Sequence, residues 1–323
     1  MQRATHSQFG SPQDVLSSEE ADTPTPSQGQ VLVRMVLSPV HNHDLMIIAG
    51  QYGSMPDLPA FPGTEAVGVV EALGEGVDNL VVGQRVAGGA SQTWATFYLA
   101  DAAGLVPVPD CVSDETACQL IAMPLSAKVL LDTLDVKPGD WIVQNAANGL
   151  VGKLVARFGA ERGIKVLGLV RRKEAVAELR ALGIDKVIAT DVEGWADKAK
   201  ELTGGAPVLR AVDSLGGDGA AQVLKVASND AVLVSFGAMT EQPLKIAAQD
   251  LLFRGITVKG FWGAKPHVTP ERIGQFIGEL LQAAAAQKLI FPIEAAYDIE
   301  HVAEAARASA EPGRKGKVAI RGA

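Results

Sequence analysis

The spacing of apolar positions changes character once along this chain, near Val136, and the change separates two kinds of element. Before it, short apolar stretches at 31–36, 66–73 and 84–87 are broken by turn formers such as the cluster from Pro24 to Gly29. Strand-length runs bounded by Pro and Gly predict an irregular β-rich unit. After it, the turn Lys137-Pro138-Gly139-Asp140 leads into a buried run at 141–147, and Val151, Leu154, Val155 and Phe158 then fall at helical spacing. From there strands predicted at 165–170, 186–189, 209–213, 231–236 and 255–261 alternate with helices at 174–182, near Trp195 and near Ala220. Such alternation predicts a parallel sheet with right-handed crossovers. Ile273, Phe276, Ile277, Leu280 and Leu281 mark an amphipathic helix, and 317–320 a closing strand.

Length and composition narrow this picture. A chain of 323 residues exceeds the usual size of one core, so two domains, or one inserted in another, are expected. With 47% hydrophobic and 20% charged residues the composition is globular. A net charge of −8 with no long basic block disfavours nucleic acid as a partner. Cys111 and Cys118 supply neither a disulfide framework nor a four-thiolate zinc site, so a reducing, cytoplasmic setting is expected. The opening residues lack an apolar signal core, and no apolar run spans a bilayer, so neither secretion nor a membrane is expected.

The informative chemistry begins at 144–152. In Gln144-Asn-Ala-Ala-Asn-Gly-Leu-Val-Gly152 the spacing Ala146-x-x-Gly149-x-x-Gly152 lies between a predicted strand and a predicted helix. Gly149 lets backbone approach a pyrophosphate, Gly152 lets helix pack close to strand, and the helix end offers unpaired N–H groups. Asn148, Gly149, Leu150, Val151 and Gly152 are therefore candidate phosphate-cradle residues, with Ala147 standing where the commonest fingerprint has its first glycine. At the end of the second strand, where NAD-binding chains carry an acid for the ribose 2′-hydroxyl, this chain has Arg171-Arg172-Lys173. A guanidinium pairs with a 2′-phosphate that a carboxylate would repel, so the expected cofactor is NADPH. The plainer alternative is a solvated cation cluster, which the helix dipole would oppose.

Taken together these residues resemble the medium-chain dehydrogenase/reductase superfamily over nearly the whole chain. Phe9-Gly10-Ser-Pro12, Gly63-Thr-Glu65 followed by Ala66-Val-Gly-Val-Val, and Gly83-Gln-Arg-Val86 look like its N-terminal domain. Gln51-Tyr52-Gly53, Gln144-Asn145, Val170-Arg171, Phe236-Gly-Ala-Met239 and Gly260-Phe-Trp262 are most similar to its 2-enoyl thioester reductases, with quinone oxidoreductases next. The resemblance implies an α/β fold: a GroES-like β-rich catalytic domain plus a Rossmann domain with a doubly wound parallel sheet. The expected division is 1–112, 113–264 and a return at 265–323. It also implies a homodimer and a set of site residues. Tyr52 matches the proton donor of those reductases; Phe236, Gly237, Ala238 and Met239 match a cofactor-side loop; Phe261, Trp262 and Gly263 match the segment beside the nicotinamide; Lys317 matches a cofactor-contacting lysine. Two departures bear on the substrate: an Asn-Pro motif reads Met123-Pro124, and His41 stands where asparagine is usual.

The zinc alcohol dehydrogenases of that superfamily need a histidine that Gly63-Thr64-Glu65 lacks, and no cysteine accompanies His41, His43 and Asp44. No metal is expected, and the two histidines read as hydrogen-bonding groups. Without a Lewis acid the acceptor must be electronically activated. Hydride added to the β-carbon of an enoyl thioester, 2-alkenal or enone leaves an enolate that needs a proton, and Tyr52, protonated at neutral pH, is the expected donor. A quinone reductase needs no defined donor and is the alternative; a zinc-type alcohol dehydrogenase and a non-catalytic NADPH-binding protein stand behind it.

Overall fold

The computed structural model of the chain describes residues 1–265 and 268–322. It divides into two packed units, one formed by Met1–Ala122 with Gln275–Ala323 and one by Met123–Gly274. In the first, β1 (Gln2–Thr5), α1 (Pro12–Val15) and β2 (Ser17–Glu20) form a small antiparallel ribbon. The long β3 (Gln30–Pro39) then runs into α2 (Asn42–Ile48), followed by β4 (Glu65–Leu73), β5 (Arg85–Gly89), β6 (Phe97–Asp101), β7 (Leu105–Pro107) and α3 (Asp114–Ala117). Val31, Val33 and Met35 point the inward face of β3 into the core, as strand alternation requires.

The second unit begins at the helix α4 (Ala122–Thr133). Its strands are β8 (Trp141–Gln144), β9 (Lys165–Val170), β10 (Val187–Ala189), β11 (Arg210–Asp213), β12 (Val232–Ser235) and β13 (Thr257–Gly260). Between them run α5 (Leu150–Glu161), α6 (Lys173–Ala181), α7 (Trp195–Thr203), α8 (Asp218–Leu224) and α9 (Ala248–Arg254). All pairings in this sheet are parallel, in the order β10-β9-β8-β11-β12-β13. That is the doubly wound order whose direction reverses between first and fourth strands, and ligands bind beyond the carboxyl ends of strands at such a reversal. Here the reversal lies between β8 and β11.

α10 (Pro270–Ala285) carries the chain back to the first unit, where β14 (Ile293–Asp298), α11 (Val302–Ala310) and β15 (Lys317–Arg321) complete it. β15 adds antiparallel to β3, so the mainly antiparallel sheet reads β14-β15-β3-β4-β5-β7, with β6 also on β3. Val302, Ala305 and Ala306 of α11 join the core beneath it, together with Trp94 and Tyr98. No helix among the described residues is long and apolar enough to cross a membrane.

Several limits differ from those read in sequence, each for a local reason. The strand at 141–147 ends at Gln144, because Ala146 takes a left-handed φ of 48°. The sixth strand starts at Thr257 rather than 255, because Gly255, at φ 65°, caps α9. Residues 113–122 pack with the first unit: Arg85 pairs with Asp114 at 2.7 Å, and a carboxylate oxygen of Glu65 accepts the N–H of Ile121 and Ala122. Residues 268–274 belong with the second, where Arg272 pairs with Asp132 at 2.9 Å. The packing junctions thus fall after 122 and 274, ten residues beyond 112 and 264 at each side.

Candidate active site

In the second unit the predicted cofactor residues all follow carboxyl ends of parallel strands. Asn148 to Gly152 turn from β8 into α5, with Gly149 as the N-cap; no side chain caps the helix, so its first-turn N–H groups face outward from the helix end. Gln144 ties the turn down by donating to the carbonyl of Gly152 at 2.8 Å. A Cβ on Gly152 would lie 2.7 Å from the Ala146 carbonyl oxygen and 2.8 Å from the Ala147 Cα, so only glycine permits this approach of helix to strand.

Arg171, Arg172 and Lys173 open α6 directly beyond β9 and are exposed. Among the described residues none of the three side chains has an ion-pair partner, unlike Arg157, Arg162, Arg254 and Arg272 of the same unit. Three adjacent cations without an ion-pair partner among the described residues make a local positive patch. Phe236 to Met239 follow β12 and Phe261 to Gly263 follow β13; the rings of Phe236 and Phe261 stack at 5.4 Å and 28°. Gly237 is held close to the loop after β11, where a Cβ would meet the Ser214 carbonyl oxygen at 2.7 Å.

Asp213 organises these loops, and sequence reasoning passed over it. Buried at the end of β11, its carboxylate accepts from Asn145 at 2.5 Å, from the Leu215 amide at 3.2 Å and from the Gly216 amide at 3.1 Å. Its carbonyl accepts the N–H of Phe236 and Gly237. Asn145 completes the link by accepting the Ser214 N–H at 2.8 Å. The only sequence signal was an acid ending a strand before Ser-Leu-Gly-Gly. The glycine cradle, the outward helix end and the unpaired cations fit a phosphorylated dinucleotide.

Tyr52 and Lys317 belong to the first unit. Tyr52 is half-buried in the irregular segment after α2, its ring 6.0 Å from that of His43. His41 is buried, its Nε2 2.8 Å from Glu65, and its N–H donates to Asp44 at 2.9 Å. The Thr64 hydroxyl donates to the other Asp44 oxygen at 2.7 Å and lies 2.6 Å from Nε2 of His43. Lys317 donates to the Val40 carbonyl at 3.2 Å.

Burial dominates the electrostatics of this cluster. It pushes Glu65 up to about 7, against the opposing N–H groups of Ala122 and Ile121, and takes His41 well below its ordinary 6.5, with Lys317 acting the same way and Asp44 against. It also brings Lys317 down to about 8, although Asp44 favours the charged form. Among the described residues no group of three or more His, Cys, Asp or Glu side chains is arranged to hold a metal ion. All four carboxylate oxygens of Asp44 and Glu65 already have hydrogen-bond partners, and Nε2 of His41 is committed to Glu65. This donor set does not fit a catalytic zinc.

Comparison with known proteins agrees with both units. Residues 27–110 match the family described as alcohol dehydrogenase GroES-like domain, and 151–279 match the family described as zinc-binding dehydrogenase. The mitochondrial enoyl-[acyl-carrier-protein] reductase of Caenorhabditis elegans is 34% identical over 244 residues, 73% of this chain and 70% of that protein. The enzyme of the same name from Xenopus tropicalis is 28% identical over 320 residues, 95% of this chain and 91% of that one. Among solved structures, a Bacillus thuringiensis protein described as an NADPH:quinone reductase superposes with a TM-score of 0.91 at 26% identity, covering 100% of this chain and 99% of that one.

Proposed function

The chain belongs to the medium-chain dehydrogenase/reductase superfamily, and from that premise we propose that it reduces the activated C=C bond of an enoyl thioester, 2-alkenal or enone. It is an NADPH-dependent oxidoreductase. The observation that carries the cofactor reading is the unpaired cation trio at 171–173 beyond the second strand of a doubly wound sheet.

NADPH, when bound, supplies the hydride. The first-turn N–H groups after Gly149 would hold its pyrophosphate, and Arg171, with Arg172 and Lys173, would grip the 2′-phosphate. Asn145 and Asp213 keep the loops carrying Phe236 to Met239 in one arrangement. Tyr52 holds a proton on its phenol oxygen. As hydride adds to the β-carbon, the π electrons move to the carbonyl oxygen, and Tyr52 gives its proton to the α-carbon of the resulting enolate. Water then restores the phenol. No step passes through a metal: the carboxylate oxygens of Asp44 and Glu65 and Nε2 of His41 already have hydrogen-bond partners.

Reduction of a quinone is the second reading, favoured by the likeness to the Bacillus thuringiensis protein. Its product takes protons from water and does not need Tyr52. The two separate on one panel: oxidation of NADPH and NADH measured with a crotonyl thioester, 2-hexenal and a benzoquinone, repeated with Tyr52→Phe. The proposal expects enoyl or enal turnover with NADPH that is lost in Tyr52→Phe. Turnover of the quinone alone, indifferent to the substitution, selects the second reading.

The reading also takes a cytoplasmic setting and a homodimer. β13 is the last strand of its sheet, and nearby Leu252 and Phe253 of α9 are 73% and 79% exposed, a surface a second copy would cover by edge pairing. Sedimentation of the full chain at micromolar concentration tests it, and a monomer contradicts it.

A further inference from the structure

We propose that His43 is the positioning residue of Tyr52, its ring locked in one tautomer by Thr64 and Asp44 so that it fixes the direction from which the phenol delivers its proton. This rests on the reading of Tyr52 as proton donor. Tyr52 sits in a stretch without regular secondary structure and is half-buried, so the side chains beside it bear on its direction. A donor displaced by about 1 Å can lose a large part of its effect, which makes the support of a loop tyrosine a catalytic matter.

That support is a file of three rings. His41, His43 and Tyr52 follow one another, with centroids 5.0 Å apart at 21° for the first pair and 6.0 Å apart at 36° for the second. The inner end is immobile: the His41 side chain is wholly buried and held to Glu65, and its backbone N–H is held to Asp44. The middle ring is oriented by proton bookkeeping. Thr64 has a single hydroxyl proton and gives it to Asp44, so towards His43 its oxygen can only accept. Nε2 of His43, 2.6 Å away, is therefore the protonated nitrogen, and the ring cannot turn over without breaking that bond.

His43 lies at the first turn of α2, and its side chain is 21% exposed, placing it between the buried anchor and the half-buried phenol. Thr64 occupies the position where zinc alcohol dehydrogenases carry a ligand. In this chain that position orients an imidazole instead.

The test uses the full chain labelled with 3-fluorotyrosine, which gives three 19F resonances because tyrosine occurs only at Tyr52, Tyr98 and Tyr297. Tyr52→Phe assigns the relevant one. His43→Ala is expected to move the Tyr52 resonance while leaving the other two, and to lower kcat on the crotonyl thioester about tenfold with KM unchanged. His43→Phe keeps a ring and is expected to hold kcat within about threefold; Thr64→Val frees the imidazole, broadens the Tyr52 resonance and costs about threefold. Should His43→Ala fail to fold, the Phe and Thr64→Val variants still decide. An unmoved Tyr52 resonance in His43→Ala or Thr64→Val overturns the proposal, as does a moved resonance with full kcat in His43→Ala. Full turnover in Tyr52→Phe removes the donor reading itself, a failure distinguishable from a His43 variant that leaves a Tyr52-dependent rate untouched.

Discussion

Asn145 and Asp213, 68 positions apart in sequence, meet across the reversal of the parallel sheet with Nδ2 2.5 Å from Oδ1. Each ends a strand or follows one directly, and each also accepts backbone N–H groups of the loop at 214–216. The pair converts two strand ends into one rigid platform for the loops that follow β11 and β12. Leaving a buried polar group without its partner costs about 1–3 kcal/mol. Asn145→Leu is therefore expected to lower stability by about that amount and to weaken NADPH binding about tenfold. Urea unfolding and a fluorescence titration with NADPH read the two effects.

Gly152→Ala tests the cradle independently. The added Cβ would meet backbone atoms of Ala146 and Ala147 inside 3 Å, and backbone cannot swing away as a side chain can. A loss of about 1–3 kcal/mol is expected, with weaker NADPH binding. Gly278→Ala, in α10 with nothing near the new methyl, is the control and is expected to stabilise by about 0.5–1 kcal/mol. Thermal unfolding of both variants shows whether the sign reverses between them.

Cofactor choice is assigned to the cations beyond β9. Hydrogen bonds to a charged group contribute about 1.5–3 kcal/mol, so Arg171→Ala is expected to lower kcat/KM for NADPH about 10- to 100-fold. The value for NADH should hardly change, since that cofactor has no 2′-phosphate to lose. Steady-state kinetics with both cofactors measure the ratio.

The buried carboxyl of Glu65 gives the stability a defined pH dependence. Its value in the fold is about 7 against an ordinary 4.5, so between these the folded chain keeps a proton that the unfolded chain has released. The contribution is whole below about 4.5 and is lost as pH rises through about 7. Glu65→Gln carries no such proton, so its stability relative to the parent chain is expected to rise with pH across that window. Lys317 acts with the opposite sign at the alkaline end: lowered from 10.5 to about 8, it releases in the fold a proton that the unfolded chain keeps, and stability is gained as pH rises between those values. Urea midpoints across the two windows, with Lys317→Met as the second variant, separate the groups.

How much of this was readable in advance follows from the range of the interactions. The segment 165–170 was placed to the residue, because six apolar-rich positions between Gly163 and the cations leave a strand no room to slip. The cradle was equally plain, since its chemistry lies within nine consecutive residues. β6 was missed although Phe97 to Asp101 alternate between half-buried or exposed and buried positions, because small and polar neighbours hide so short a run. α4, for which the sequence pattern sets no helix, begins two residues before Pro124, a position in the first turn where proline is tolerated. The links from Asn145 to Asp213 and from His43 to Thr64 were beyond reach. Both join residues from separate elements, and only strand order or sheet packing brings them together.

The central claim is that this chain moves a hydride from NADPH to the β-carbon of an activated alkene and adds a solvent-derived proton at the α-carbon. A single turnover with NADPH deuterated at the transferred position, a crotonyl thioester and ordinary water, followed by mass and NMR analysis of the product, tests it most directly. The account predicts one deuterium at the β-carbon, none at the α-carbon, and a faster turnover than with NADH. An unreduced thioester, or a product formed faster from NADH, would contradict it.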